Sequence, residues 1–264
     1  CQYPVCGPSR ASFLHGLYPE STGVLDNRSD IRQTRPGTVS MPELFKRNGY
    51  WTASVGKTFH SPRQEHGEIA WHEFHRFEND PLPLIEPARK KFEKEFGSVN
   101  QPGNRLRWRK AMTAAIAPLN AQTPPGHGRS GLEDHQHRDG KNARQVANWL
   151  KKKSFGNKPF FISLGIQKPH VPFLAPDRYF DLYPREKIGF HRDAPDLWKS
   201  IPADALNGRY QAFGFQAGVE NVARRQEFMQ AYHACISFID AQIGVVLDQL
   251  KAENLYNDTI IILT

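Results

Sequence analysis

The chain has 264 residues, of which 39% are hydrophobic and 23% charged, and it carries a formal net charge of +8. This length can bury a sizeable core, and the absence of any run of about 18 apolar residues excludes a membrane-spanning helix. The three cysteines are too few for a disulfide scaffold, while the positive charge favours anionic partners such as nucleic acid or sulfated and phosphorylated molecules.

The first predicted element is a short helix over residues 8–15 that directly follows Cys6. Pro8 suits its first position, because the missing N–H is not needed there, and Gly16 suits its end. A helix start favours negative charge, so Cys6 could be an activated thiol or could lie beside a bound oxyanion. Arg10, one turn on, could bind sulfate or phosphate with two hydrogen bonds. The alternative is that Cys6 is only a small residue in a tight turn.

A helix over residues 41–48 and a strand in YWTASVGK follow. Ser40 and Glu43 have the spacing of a capping box, and the strand ends at Gly56-Lys57. Residues 61–135 are rich in Pro, Gly, His and charged residues, and their weak periodicity predicts an irregular excursion from the core. Two segments of this excursion, EPARKKFEKEFG and NRLRWRKAMTAAIA, could form helices.

The second half of the chain alternates helices and apolar strands. Helices are predicted over residues 141–153 and 225–252, and buried strands in KPFFISLGI and in TIIILT at residues 259–264. The sequence of residues 185–222 predicts irregular structure. The alternation predicts an α/β fold, in which chemistry collects beyond the carboxyl ends of the strands. That rule selects the loops at Lys57 and Lys168 and a loop that would follow Thr264.

The opening CQYPVCGPSRASFLHG resembles the signature of the type I sulfatases. In that family the Cys of Cys-x-Pro-Ser-Arg is oxidised after translation to formylglycine, and Cys6 and Arg10 match this pattern. GYWTASVGKTFH resembles the segment that supplies a Lys and a His to the sulfate, here Lys57 and His60. Their spacing is one residue longer than in many arylsulfatases and resembles the iduronate-2-sulfatase branch. KPHVPFLAPDRYFDLYP resembles the same branch, with Lys168 and His170 as the matching pair.

The resemblance implies an alkaline-phosphatase-like α/β sandwich of helices around a mostly parallel sheet. Residues 1–264 would be the central part of the N-terminal catalytic domain, without its first strand and its C-terminal subdomain. The family holds one Ca²⁺, for which formylglycine at Cys6 would be the only ligand within this chain, because the other ligands would lie outside it. We therefore expect the fragment alone to be inactive.

The resemblance also assigns roles to individual residues. Cys6, as formylglycine, would be the nucleophile and Arg10 and Lys57 would neutralise the sulfate. His60 would hold or deprotonate the nucleophile, and His170 would bind sulfate or protonate the leaving oxygen. The remaining residues expected to bind the substrate are Lys168, Asp26 and Asn27.

The expected partners are a sulfated carbohydrate substrate and the formylglycine-generating enzyme, with no nucleic acid and no membrane span. By family resemblance the protein would be exported, to the periplasm, the extracellular space or the lysosome. Two alternatives stay open. One is a phosphatase or phosphonate hydrolase of the same superfamily, and the other is a non-catalytic domain that binds anionic glycan or nucleic acid through its positive charge and NRLRWRK.

Overall fold

The computed structural model describes most of the chain, namely residues 1–60, 67–80, 85–99, 101–116, 127–189, 194, 196–202 and 221–264. The chain divides into two compact units. The first unit comprises residues 1–79, 135–167 and 241–264, and the second comprises residues 80–134 and 168–240. In the described part of the chain, no helix combines the length and the apolar character needed to cross a membrane.

The strands are β1 (Trp51–Gly56), β2 (Glu73–His75), β3 (His127–Arg129), β4 (Phe160–Gly165) and β5 (Phe173–Ala175). The helices of the first half are α1 (Cys6–His15), α2 (Pro19–Thr22), α3 (Ile31–Thr34), α4 (Met41–Arg47), α5 (Gly67–Ala70), α6 (Glu86–Phe96) and α7 (Asn104–Ile116). The later helices are α8 (Arg138–Lys151), α9 (Asp177–Phe180), α10 (Leu197–Ser200) and α11 (Val222–Ala252). Short 3-10 turns occur at Asp134–Gln136, Arg185–Lys187 and Tyr256–Asp258.

The first unit is built on a parallel sheet in the order β2, β1, β4. The register pairs Val55 with His75, and Gly56 with Gly165, so the three strands end at the same edge. Backbone groups that follow these three strand ends therefore come close together, although they are far apart in sequence.

Helices cover both faces of this sheet. Side chains alternate between the two faces of a strand, and the odd-numbered residues of β1 pack on one face against α8 and the end of α11. On the other face, Phe161 of β4 stacks on Phe45 of α4 and on Trp71, with ring centroids 4.7 and 6.1 Å apart. Coverage of the parallel sheet on both faces explains why all six residues of β1 are buried. The α/β prediction is thus confirmed.

Helix α1 begins at Cys6, two residues earlier than predicted. Its first turn can contain Pro8 because the N–H groups of the first turn have no partner within the helix. Gly16 ends the helix in the left-handed region, with φ 65°, as expected. Helix α4 also matches its prediction, and the Ser40 side chain accepts a hydrogen bond from the Glu43 N–H at 3.4 Å.

The segment 61–135 contributes more regular structure than its composition indicates. Strand β2 extends the sheet beside β1, and α6 and α7 form helices in the two segments that the sequence singled out. These two helices pack together through Phe92 and Trp108, whose ring centroids are 5.5 Å apart.

The predicted strand at residues 259–264 is wrong. These residues form no strand with any described part of the chain, and Ile260, Ile262 and Leu263 are 89, 77 and 83% exposed. An apolar run becomes a strand only when neighbouring strands bond its backbone and cover its side chains. Neither condition is met within the described residues.

The second unit contains a two-stranded parallel sheet of β3 and β5. Phe173 of β5 packs edge-on against Tyr232 of α11, with centroids 5.5 Å apart. The Asp134 carboxylate, which follows β3 in the chain, accepts hydrogen bonds from Arg178 at 2.5 Å and from the Tyr179 hydroxyl at 2.7 Å. These polar contacts join the start of α9 to the chain that follows β3.

Candidate active site

The first residue of α1 is Cys6, which is partly exposed. The Gly7 N–H donates a 2.8 Å hydrogen bond to Asn27 Oδ1, and Cys6 Sγ lies 3.6 Å from the same oxygen. A Cβ on residue 7 would lie only 2.8 Å from Asn27 Oδ1 and 2.9 Å from the Asp26 carbonyl oxygen. Glycine after Cys6 is therefore required for the close contact between the helix start and the loop at residue 27.

Arg10 joins α1 to the loop that follows β1. Its Nη1 donates hydrogen bonds to the carbonyl oxygens of Lys57, at 2.5 Å, and Thr58, at 2.7 Å. These bonds connect residues 47 and 48 positions apart in sequence. Sequence analysis assigned Arg10 to the sulfate, and the structure shows that it also holds the backbone beside Lys57.

The loop at Lys57 crosses the end of β4 at very short range. The Lys57 N–H donates to the Gly165 carbonyl at 2.9 Å, and a Cβ on either Gly56 or Gly165 would overlap backbone atoms. The Thr58 hydroxyl adds hydrogen bonds with Ser54 Oγ at 2.7 Å and Ser163 Oγ at 2.9 Å. Two glycines and a buried hydroxyl network therefore fix where the Lys57 side chain starts.

The Lys57 ammonium lies within a group of charged side chains. Burial is the main cause that lowers the pKa of Lys57, and its interaction with Cys6 opposes this effect. The positive charges of Arg10, Arg76 and Arg138 lower the pKa further. Arg10 bonds the Lys57 carbonyl, Arg76 follows the strand beside β1, and Arg138 bonds Gln167 after β4, so these cations form one cluster at the carboxyl edge of the sheet.

His60 follows three residues after Lys57. Together with Arg10 and His15 it lines a cavity beside α1 whose remaining lining residues are Gly7, Ala11, Val24, Asp30, Ile31 and Phe59. Burial lowers the pKa of His15, because an imidazolium is less stable away from water than a neutral ring. The first unit therefore brings together four of the predicted residues: Cys6, Arg10, Lys57 and His60.

Asp26 and Asn27 also lie in the first unit, where both bond to the protein. Asp26 Oδ1 accepts hydrogen bonds from the N–H groups of Arg28 and Ser29, at 2.8 and 2.7 Å. These bonds lower the pKa of Asp26 and keep its carboxylate in its own turn. A direct role of either residue in substrate binding stays a prediction.

Lys168 and His170 belong to the second unit. Lys168 Nζ donates a 2.5 Å hydrogen bond to the Pro172 carbonyl, and His170 Nδ1 forms a 2.7 Å hydrogen bond with the Val171 carbonyl. His170 is exposed. Their participation in a common site with Cys6 stays a prediction.

The residues present do not fit a calcium site by themselves. Ca²⁺ binds six to eight oxygen ligands, and the contact that the structure gives Cys6 Sγ is with one amide oxygen, Asn27 Oδ1. Within the described ranges, no group of three or more His, Cys, Asp or Glu side chains is arranged to hold a metal ion. We therefore assign no catalytic step to a metal.

Sequence reasoning missed two cationic residues of the cluster, Arg76 and Arg138. Arg76 directly follows β2, and β2 lies in the segment that was expected to be irregular. Arg138 is the first residue of α8, which begins three residues earlier than predicted. The three-residue run EFH before Arg76 is too short to predict a strand from its sequence pattern.

The sulfatase family model matches residues 1–264, the whole chain. The chain belongs to the sulfatase family. This sulfatase chain is 31% identical to a protein named sulfatase from Formosa agariphila, over all of this chain and 49% of that protein. It is 30% identical to human iduronate 2-sulfatase, over all of this chain and 46% of that enzyme. The chain thus spans about half the length of the curated relatives it matches.

Among solved structures, this sulfatase chain is similar to the phosphonate monoester hydrolase of Agrobacterium radiobacter. The TM-score is 0.64 at 17% sequence identity, over 98% of this chain and 52% of the other. At this identity the similarity shows a shared fold alone. The predicted family and fold are thus both confirmed, whereas the reaction needs an argument from the site.

Proposed function

We propose that the intact protein hydrolyses a sulfate ester, with Cys6 in its formylglycine form as the nucleophile. The observation that carries the proposal is the position of Cys6, in the first turn of α1 beside the Lys57 ammonium, within a chain that matches the sulfatase family along its whole length. A sulfate ester is an anion, and both the helix start and the cationic cluster favour an anion there.

The chain's own residues supply binding and orientation. Lys57 attracts the sulfate and stabilises the charge that builds up in the transition state, because a half-buried ammonium acts more strongly than one in water. Arg10 holds the Lys57 backbone and adds positive charge. Oxidation of Cys6 would supply a hydrated aldehyde, which offers one hydroxyl for attack on sulfur and a second for release of sulfate.

Two histidines are suited to proton transfer. His60 lines the cavity beside α1 and would accept a proton from the nucleophile. His170, together with Lys168 in the second unit, would bind the sulfate or protonate the leaving oxygen. A leaving alcohol with a high pKa needs such a proton, whereas an aryl oxygen does not.

The substrate class we propose is a sulfated sugar. The similarity to human iduronate 2-sulfatase supports this class, and the net charge of +8 suits an anionic glycan. The same proposal includes the formylglycine-generating enzyme as a partner and an exported location, both by family resemblance. Hydrolysis of a phosphonate or phosphate ester is the second candidate, because the phosphonate monoester hydrolase has the same fold.

The test uses the intact natural protein, produced together with the formylglycine-generating enzyme. We expect peptide mass spectrometry to find formylglycine at position 6 and aryl sulfate to be cleaved faster than aryl phosphate. Cys6→Ala should reduce aryl sulfate turnover at least about a thousandfold, because a nucleophile is removed. The matched control is Cys1→Ala, since Cys1 is an exposed free cysteine and its removal should leave turnover unchanged.

Two results would contradict the proposal. Faster cleavage of aryl phosphate than of aryl sulfate would favour the phosphonate or phosphate reaction. Full sulfatase turnover with an unmodified thiol at Cys6, or after its replacement, would remove Cys6 from the mechanism.

A further inference from the structure

Arg76 occupies a position at the site that the proposed reaction does not use. Strand β2 ends at His75, and the register pairs His75 with Val55 of β1. Arg76 therefore leaves the sheet at the same edge as Gly56 and Lys57, on the neighbouring strand. Adjacent strands are about 4.8 Å apart, which places the start of this side chain one strand away from the Lys57 loop.

The Arg76 guanidinium has a buried donor that no described residue satisfies. Its Nη1 atom is buried and has no hydrogen-bond partner among the described residues. Buried polar groups are nearly always hydrogen-bonded, and burial of a charged donor without a hydrogen-bond partner costs the most free energy. The acidic residue of β2, Glu73, instead accepts a 2.6 Å hydrogen bond from Trp149 Nε1.

Arg138 holds the segment that follows Arg76 through a hydrogen bond to the Asn79 side chain. Arg138 Nη1 donates to Asn79 Oδ1 at 2.9 Å and to Gln167 Oε1 at 2.8 Å. Asp139 adds a hydrogen bond from the Gln167 N–H at 2.9 Å. The segment after β2 is thereby linked to the segment after β4. Arg76 therefore lies in a segment that is held by hydrogen bonds at the carboxyl edge of the sheet.

The charge of Arg76 belongs to the same cluster as the sulfate-binding residues. Among the cations that lower the pKa of Lys57, Arg10 acts more strongly than Arg76. Arg10 is on α1 with Cys6, whereas Arg76 is on the edge strand. The four like charges of this cluster, on Lys57, Arg10, Arg76 and Arg138, repel each other, so a bound group that carries more than one negative charge would relieve the repulsion best.

We propose that Arg76 binds a second anionic group of the substrate, a carboxylate or a second sulfate next to the sulfate that is cleaved. This inference rests on the proposed function and assigns a role that separates dianionic from monoanionic substrates. Arg76 would act as a specificity residue, since its guanidinium matches the planar carboxylate or the oxygens of a sulfate.

The test measures binding without turnover, by calorimetry on the intact protein with Cys6→Ala. The probes are a sulfated uronic acid, the same sulfated sugar with its carboxylate reduced to an alcohol, and that reduced sugar with a second sulfate. We expect the two dianions to bind at least about tenfold more tightly than the monoanion, as for a charge-assisted hydrogen bond. The dianion whose affinity exceeds that of the monoanion by the larger factor identifies the group that Arg76 binds.

Variants at position 76 test whether Arg76 causes the preference for dianions. Arg76→Gln should remove the preference for dianions, and Arg76→Lys should keep part of it, because the charge remains but the planar fork is lost. The matched control, Arg35→Gln, replaces an exposed arginine that donates to the Ser21 carbonyl, and the preference should persist. Thermal unfolding of each variant checks that it is folded.

Equal binding of all three sugars, or a preference for dianions that survives Arg76→Gln, would overturn the inference. An equal loss of affinity for all three sugars in Arg76→Gln would also overturn it, since Arg76 would then act on the cleaved sulfate or on the fold. Failure of the proposed function would appear separately, as absent sulfatase turnover in the protein that retains Cys6.

Discussion

The loop at Lys57 and the loop at residues 168–172 both follow a strand of the parallel sheet, yet they are held in different ways. Arg10 on α1 bonds the carbonyls of Lys57 and Thr58, across 47 and 48 positions of sequence. In the other loop, Lys168 bonds Pro172 and His170 bonds Val171, within four residues. The first loop therefore depends on tertiary packing, so a change there should affect stability and catalysis together. In the second loop, the two effects should separate.

Arg10→Ala should have the largest effect of the changes that test this comparison. Its removal leaves the Lys57 and Thr58 carbonyls without their charged donor, so the free energy of unfolding should fall by about 1–3 kcal/mol. Aryl sulfate turnover by the intact enzyme should fall about 100- to 1000-fold, because positive charge is lost and Lys57 is displaced. Denaturant unfolding and steady-state kinetics measure the two effects.

The matched control for Arg10 is Arg35→Ala, which also removes an arginine that donates to a backbone carbonyl. Arg35 is exposed, so water can replace it, and we expect both stability and turnover to stay close to the natural protein. If Arg10→Ala lowered turnover without lowering stability, the Lys57 loop would not depend on α1 and the comparison would fail.

His170→Ala tests the loop that is held locally, and its expected effect is smaller. The ring is exposed and bonds its neighbouring carbonyl, so the free energy of unfolding should change by less than about 0.5 kcal/mol. Turnover of an alkyl sulfate should fall about 100-fold if His170 protonates the leaving oxygen, and turnover of an aryl sulfate much less. Comparing the two substrates with Ala and Gln variants measures this difference. Loss of stability comparable to that in Arg10→Ala would show that this loop also depends on packing.

The sequence predicted helix α1 and strand β1 well, because the features that determine these two elements are local. A proline in the first turn, a glycine at the end and an arginine one turn after Cys6 specify α1 almost completely. Strand β1 is a short segment between Gly49, which marks the end of the preceding helix, and the Gly56-Lys57 turn. The partner of Arg10 was not predictable, because backbone carbonyls carry no signature in the side-chain sequence.

Composition failed where burial depends on distant neighbours. Residues 259–264 and β4 are both largely apolar, yet among the described residues β4 alone of the two has a strand beside it to bond and helices to cover it. Arg76 was missed for the opposite reason, since its three-residue strand is half exposed and shows little apolar pattern. The register with β1 that brings Arg76 to the site is a property of the sheet and of no single segment.

His15 gives the finest test of the packing around α1. Burial lowers the pKa of His15, so the folded protein binds a proton at this ring less readily than the unfolded chain does. As the pH falls below the ordinary histidine pKa of about 6.5, the unfolded chain takes up this proton first and the free energy of unfolding falls.

His15→Gln should therefore flatten the decline of stability between about pH 6.5 and the lowered pKa, whereas Gln33→Ala, at an exposed neutral residue, should leave the slope as it is. Urea unfolding at a series of pH values measures the slope. An unchanged slope in His15→Gln would mean that the inner end of the cavity beside α1 is hydrated, and the tight packing ascribed to this region would not extend beyond Arg10 and Lys57.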